Sequence, residues 1–160
     1  MAQVKQVNVF DITELSDKAK DKAFYEWCGL SMYDGSDNIG TIESFCQLFN
    51  VNLKDWEVCE YRYGYTVDIP QQRNITKRKA LAMVNQWEVN QGYFLASIAC
   101  ESIKSGWYKG DIKYTIRNCL DDMFKAYQDD MECYYSMESF IETCQCNDWL
   151  FHTDGRIFSE

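Results

Sequence analysis

The residues whose types could do chemistry in this 160-residue chain are eight cysteines, one histidine and 25 aspartates and glutamates. A thiol brought beside an imidazole is a nucleophile. The single histidine, His152, adjoins Asp154-Gly155, a turn where a reaction is hard to shield from water, and no cysteine carries a signature sequence. Cys144, Cys146 and His152 are neighbours in sequence. Their C-x-C spacing is not that of a zinc knuckle, and a second ligand pair is missing. No glycine-rich phosphate cradle occurs, and the carboxylates form no E-x-x-H or D-x-D-x-D-G set. The expectation is a non-enzymatic protein without cofactor or metal.

Without catalysis, the carboxylates become candidates for binding. The net charge is −9 but unevenly spread: residues 61–120 carry +5 and residues 121–160 carry −8. The acidic total argues against direct nucleic-acid binding and permits docking on a basic surface of a partner. The candidate partner-binding residues are Asp121, Asp122, Asp129 and Asp130 on a fifth helix, with Glu138 and Glu142 on a sixth. Asp121, Asp122 and Asp129 fall opposite that fifth helix's apolar stripe. Glu138 and Glu142 are an i, i+4 like-charge pair, which costs a helix about 0.2–0.5 kcal/mol. The alternative contact is the basic turn Arg73–Lys79, which also reads as solvated surface.

The elements that must position these side chains follow from periodicity. Cys59 to Ile69 alternates strictly, with Tyr61, Tyr63, Tyr65, Val67 and Ile69 on one side, and reads as the central strand of a small sheet. Gly64 could mark a bulge, and Pro70, the only proline, would end the pairing. The tyrosines could stack on bases, but Arg62 is the only basic residue of the strand, so packing is the better account. Val4–Ile12 reads as another strand. Ser16 caps a first helix that buries Ala19, Ala23 and Trp27 and stops at Gly29. Ser31–Gly40 reads as a loop, and Thr41 as the cap of a second helix facing Ile42, Phe45 and Phe49 inward and ending at Asn50. Gln71–Asn74 is a turn before a third helix with Ala80, Met83, Val84 and Trp87 on one face.

Gly92 precedes a fourth helix, Tyr93–Lys104, with Phe94, Leu95, Ile98, Ala99 and Ile103 inward; Ser105–Gly110 is a loop. Asp111 caps the fifth helix, whose stripe is Ile112, Ile116, Cys119, Leu120, Met123 and Tyr127. Glu132–Ser136 is a short strand or a turn, and Ser136 caps the sixth helix, which ends at Asn147. Trp149–Phe158 reads as a hairpin with a two-residue Asp154-Gly155 turn. Thr41–Phe45 and Ser136–Phe140 echo one another, each followed by Asp-Trp. Cys46, Cys59, Cys119 and Cys144 lie on apolar faces, which argues for reduced core thiols over a disulfide scaffold. No run of eighteen apolar residues occurs, and the first residues lack a signal-peptide core, so a cytoplasmic protein without a membrane span is expected.

Two segments carry a resemblance. Phe10–Ala23 (F-D-I-T-E-L-S-D-K-A-K-D-K-A) resembles the opening of small phage and prophage proteins of unassigned function. Ser136–Ile157, especially Asn147–Ile157 (N-D-W-L-F-H-T-D-G-R-I), is similar to their ending, whereas residues 24–135 carry no such resemblance. The resemblance implies a phage or mobile-element origin, where small acidic proteins include anti-CRISPR and other anti-defence inhibitors. The expected fold is α+β, a single domain of residues 1–160 with a small, mainly antiparallel sheet and about six helices packed on it. The expected function is a phage-encoded, anti-CRISPR-like inhibitor that turns acidic surface toward the nucleic-acid-binding site of a host protein or ribonucleoprotein defence complex. A phage regulatory or antitoxin-like protein-binding module without mimicry is the alternative.

Overall fold

A computed structural model describes residues 7–72, 75–91, 94–106 and 111–158. The fold is α+β: among these residues, six α-helices accompany one two-stranded antiparallel sheet. The chain divides into two compact units, one of Met1–Tyr33 with Cys133–Glu160, the other of Asp34–Glu132.

The smaller unit is built from both ends of the chain. Asp11 opens a single 3-10 turn, Ile12–Glu14, with a reciprocal capping box: its carboxylate accepts from the Thr13 amide at 2.7 Å, and its own amide donates to Glu14 at 2.9 Å. The Thr13 hydroxyl also donates to that carboxylate at 2.6 Å, and with the Thr13 amide it holds the Asp11 carboxyl below the ordinary aspartate range. Ser16 then caps α1, Asp17–Leu30, and Ser136 caps α6, Met137–Cys146. Trp27 of α1 lies among Phe24, Tyr134, Tyr135 and Phe140, with its ring centroid 5.3 Å from that of Phe140. Ile12, Leu15, Ala19, Ala23, Cys144 and Phe151 complete this core.

The expected strand Val4–Ile12 is not formed among the described residues. Residues 1–6 lie outside them, and Phe10 makes one antiparallel bridge, to Phe151. The C-terminal hairpin forms but is short among the described residues: Phe151 also bridges Ile157, and Phe158 N donates to Leu150 O at 2.7 Å. Its turn has three residues. The His152 amide donates to Arg156 O and the Gly155 amide to His152 O, with Gly155 at φ 86°. Asp154 keeps a negative φ, so this is the turn-plus-left-handed-glycine loop and not the two-residue type expected. Gly29 does not stop α1. The helix runs to Leu30, and Ser31 ends it by donating both its amide and hydroxyl to Trp27 O.

The larger unit holds α2 (Ser36–Leu48), β1 (Asn52–Cys59), β2 (Arg62–Asp68), α3 (Lys77–Gln91) and α4 (Phe94–Gly106). It also holds α5 (Ile112–Tyr134) up to Glu132. Of the expected loop Ser31–Gly40, Ser31–Gly35 is irregular as expected but Ser36–Gly40 is the start of α2, and Thr41 lies buried inside that helix, donating to Asp37 O. Polar residues made this stretch read as a loop, yet Asn38 is buried and bonded to Asp130 at 3.0 Å. The expected central strand, Cys59–Ile69, is a hairpin. Cys59 ends β1, Glu60-Tyr61 is the turn, and β2 pairs back in register from Cys59↔Arg62 to Asn52↔Asp68. The irregularity falls between Leu53 and Asp55, not at Gly64. Glu132 lies within α5 and Tyr135-Ser136 is a turn, so of the two alternatives for Glu132–Ser136 the turn forms and the strand does not. Ser105 and Gly106 still belong to α4, and Phe94 on that helix is exposed, not inward. The turn at Arg73–Asn74, the break at Gly92 and residues 107–110 of the expected loop lie outside the described residues.

The echo noted between α2 and α6 has a structural basis in another register, at the helix ends. Val51 N donates to Cys46 O and Asn50 N to Gln47 O; Trp149 N donates to Cys144 O and Asp148 N to Gln145 O. Both ends are Schellman motifs on the shared dipeptide Cys-Gln, with the cysteine buried. Their left-handed residues are Asn50 at φ 53° and Asp148 at φ 52°, where an L side chain is strained. Asp148→Gly is therefore expected to stabilise the smaller unit by about 0.5–1 kcal/mol, read as a raised thermal midpoint. An unchanged or lowered midpoint would show that Asp148 gains from its side chain what its backbone loses.

Candidate functional site

The acidic residues singled out from the sequence lie in both units. Asp121, Asp122, Asp129 and Asp130 stand on α5 in the larger unit, and Glu138 and Glu142 stand on α6 in the smaller one. Glu138 and Glu142 are exposed, away from the buried Phe140 and Cys144.

The geometry around α5 follows from its apolar stripe. Ile112, Ile116, Cys119, Leu120, Met123 and Tyr127 are buried as expected, and Phe124 is buried too. Phe124 lies under the β hairpin. The Tyr65 ring stacks on it at 4.7 Å and 11°, and the Tyr63 ring at 6.2 Å and 6°. Tyr63, Tyr65 and Val67 alternate with exposed Arg62, Gly64, Thr66 and Asp68, so the inward side of β2 is the one the periodicity indicates. The hairpin turn is held from below, where Gln128 donates to Glu60 O at 3.1 Å.

This packing turns Asp121 away from the acidic face assigned to it. Asp121 is half-buried and accepts from the Tyr65 hydroxyl at 2.5 Å. Burial, reinforced by the hydrogen bond to Asp121, raises the Tyr65 phenol above its ordinary range. Asp121 thus locks the hairpin onto α5. Asp122, Asp129 and Asp130 remain exposed. Asp129 pairs with Lys125 one helical turn away, and Asp130 accepts from Asn38. Lys125 is the only basic residue between Asp121 and Tyr134. Above α5, the outward face of the hairpin carries Glu57 with Arg62 at 2.9 Å and Lys54 with Asp68 at 3.9 Å.

The basic turn has partners of its own. Thr76 caps α3 by accepting from the Lys79 amide, and Lys77 donates to Lys104 O at the end of α4. A cation there offsets the negative end of the α4 dipole, which gives Lys77 a structural role. Arg78 and Lys79 are exposed, and Arg73 lies outside the described residues.

Four of the thiols, those of Cys46, Cys100, Cys119 and Cys144, are buried and in no disulfide. Burial pushes Cys46 up to about 11 and Cys100, Cys119 and Cys144 up to about 12, so each is a neutral thiol at neutral pH. Cys100 donates to Glu88 at 3.0 Å. The His152 ring packs edge-on against Phe158. Among the described residues, no group of three or more His, Cys, Asp or Glu could hold a metal ion, and no helix is long and apolar enough to cross a membrane.

Comparison with protein-family models, with curated proteins and with solved structures finds no match to this chain. Phe10–Ala23 and Asn147–Ile157 fold together. Phe10 pairs with Phe151, Lys22 with Asp154, and Gly155 lies against Ala19. Their distinctive residues (Asp11, Glu14, Ser16, Asn147, Asp148 and Gly155) are caps and turns. The larger unit, Asp34–Glu132, lies within residues 24–135.

Proposed function

We propose that the chain is a phage-encoded, non-enzymatic inhibitor that binds a host defence complex, with a CRISPR effector as the leading target. The smaller unit is the shared scaffold, and the larger unit carries recognition. The exposed carboxylates of α5, Asp122, Asp129 and Asp130, meet lysines and arginines that otherwise hold nucleic-acid phosphates. The observation that carries this reading is the run of carboxylates itself: three remain at the surface of one helix that has a single lysine beside them. Buried, neutral thiols and a histidine packed on an aromatic ring suit a binding protein better than a catalyst.

The test is protection of a sensitive phage in a CRISPR-bearing host. Wild-type protein is expected to restore plaquing. The triple variant Asp122→Lys/Asp129→Lys/Asp130→Lys, folded by circular dichroism, is expected to lose about a hundredfold of that protection, because like charges facing each other cost several kcal/mol. Binding to the isolated effector should also weaken as salt rises. Full protection by the folded triple variant would discard the α5 surface. If Glu138→Lys/Glu142→Lys alone removes protection, the surface is on α6.

A further inference from the structure

We propose that β2 is a self-complementary edge through which two copies of this chain pair, extending the hairpin into a four-stranded antiparallel sheet. A two-stranded sheet leaves one edge of each strand open, with alternate N–H and C=O groups pointing away from the partner strand. The two edges are not alike. β1 is interrupted by the irregularity between Leu53 and Asp55, where Lys54 sits, and both a bulge and a lysine discourage pairing. β2 is seven residues of regular, alternating strand. Among the described residues, no backbone hydrogen bond reaches it from any element but β1. Its far end, Val67–Ile69, borders an open hollow of about 350 Å³ shared with Lys113, Tyr114 and Arg117.

The occupant follows from the sequence of the edge, Arg62-Tyr-Gly-Tyr-Thr-Val-Asp68. Two copies related by a twofold axis pair antiparallel about Tyr65. This register pairs all seven residues and keeps inward faces on one side. It sets Tyr63 opposite Val67 and Tyr65 opposite itself on that inward side. On the outward side it sets Arg62 of each copy opposite Asp68 of the other. A shift by two residues in either direction removes both charge pairs. Opposite charges directly across an antiparallel pair stabilise it, and like charges destabilise it. Arg62 is fully able to serve two acceptors: its guanidinium has five N–H donors, of which the bond to Glu57 uses one nitrogen.

The experiment is sedimentation at about 150 mM salt, where screening within about 8 Å limits repulsion between copies of charge −9. Wild-type protein is expected to dimerise with concentration, and β2 amides to exchange more slowly as it does. Arg62→Asp and Asp68→Arg are each expected to weaken association by about tenfold or more, because each opposes like charges at both ends. An equimolar mixture of the two variants is expected to recover dimers, since every Asp then faces an Arg. A wild type that stays monomeric, variants that associate as it does, or a mixture that fails to recover would overturn the proposal. Slowed exchange in β2 only on addition of a foreign extended peptide would overturn it in favour of that partner. The exchange measurement on wild-type protein decides the matter even if a variant fails to fold.

Discussion

Gly155→Ala is expected to unfold the smaller unit, or nearly so. A Cβ at this position would stand 2.2 Å from Ala19 O, a backbone atom in the first turn of α1 that no rotamer change can move. Gly155 also has φ 86°, where an L residue costs about 1–2 kcal/mol. Forcing backbone apart in a packed site adds about 1–3 kcal/mol. A unit of roughly sixty residues has only about 3–5 kcal/mol from its core. The variant should therefore lose the near-ultraviolet signal of Trp27, which reports the aromatic core. Gly155→Asn separates the two causes. Asparagine tolerates a left-handed backbone but keeps the Cβ, so it should fail as badly if the close approach dominates. Gly29→Ala is the control. It lies in α1 with nothing within 4 Å, and should stabilise by about 0.5–1 kcal/mol. A native melting curve for Gly155→Ala would mean that the turn and α1 move apart at no cost.

The larger unit is expected to unfold in mild alkali. Cys46, Cys100 and Cys119 are each at most 3% exposed, and burial raises their thiols to about 11, 12 and 12. An unfolded thiol ionises near about 8.5. Below that pH both states are protonated, and stability is flat. Between the unfolded and folded values the unfolded state has released protons that the folded state retains, so stability falls as pH rises. The slope is about 1.4 kcal/mol per pH unit for each thiol. Three thiols together exhaust a typical domain stability of about 5–15 kcal/mol within a few pH units. Tyr65, raised by burial and its bond to Asp121, steepens the loss at still higher pH. Denaturant titrations at several pH values above 8 should show the decline. Cys119→Ala should reduce the slope by about a third of the three-thiol effect, whatever it does to stability at neutral pH. A flat profile up to pH 10.5 would refute the buried-thiol account.

Local chemistry made much of the helical structure readable. Ser16, Asp111 and Ser136 cap α1, α5 and α6 as expected, because a cap needs only its own side chain and amides two or three residues on. Ala19, Ala23 and Trp27, and the stripe from Ile112 to Tyr127, are buried where the period of 3.6 places them. Asn50 ends α2 and Asn147 ends α6 for similarly local reasons. The alternation of β2 gave its inward face.

The misread stretches are those where distant residues decided the outcome. The hairpin was hidden because Glu60-Tyr61 turns with negative φ and carries no glycine or asparagine, so alternation runs through it unbroken. The ladder to Asn52–Cys59 and the Phe124 ring beneath distinguish two strands from one. Ser36–Gly40 is helical because Asp130 satisfies Asn38 and the Tyr127 hydroxyl lies against Gly35. Asp121 fell on the polar side of α5 by counting, yet the Tyr65 hydroxyl reaches it across 56 residues of chain. Sequence alone therefore determined the caps of α1, α5 and α6, the inward faces of α1, α5 and β2, and the acidic balance of the last forty residues. Tertiary structure decided which carboxylates remain at the surface, because a hydrogen bond between remote segments leaves no periodic trace in either.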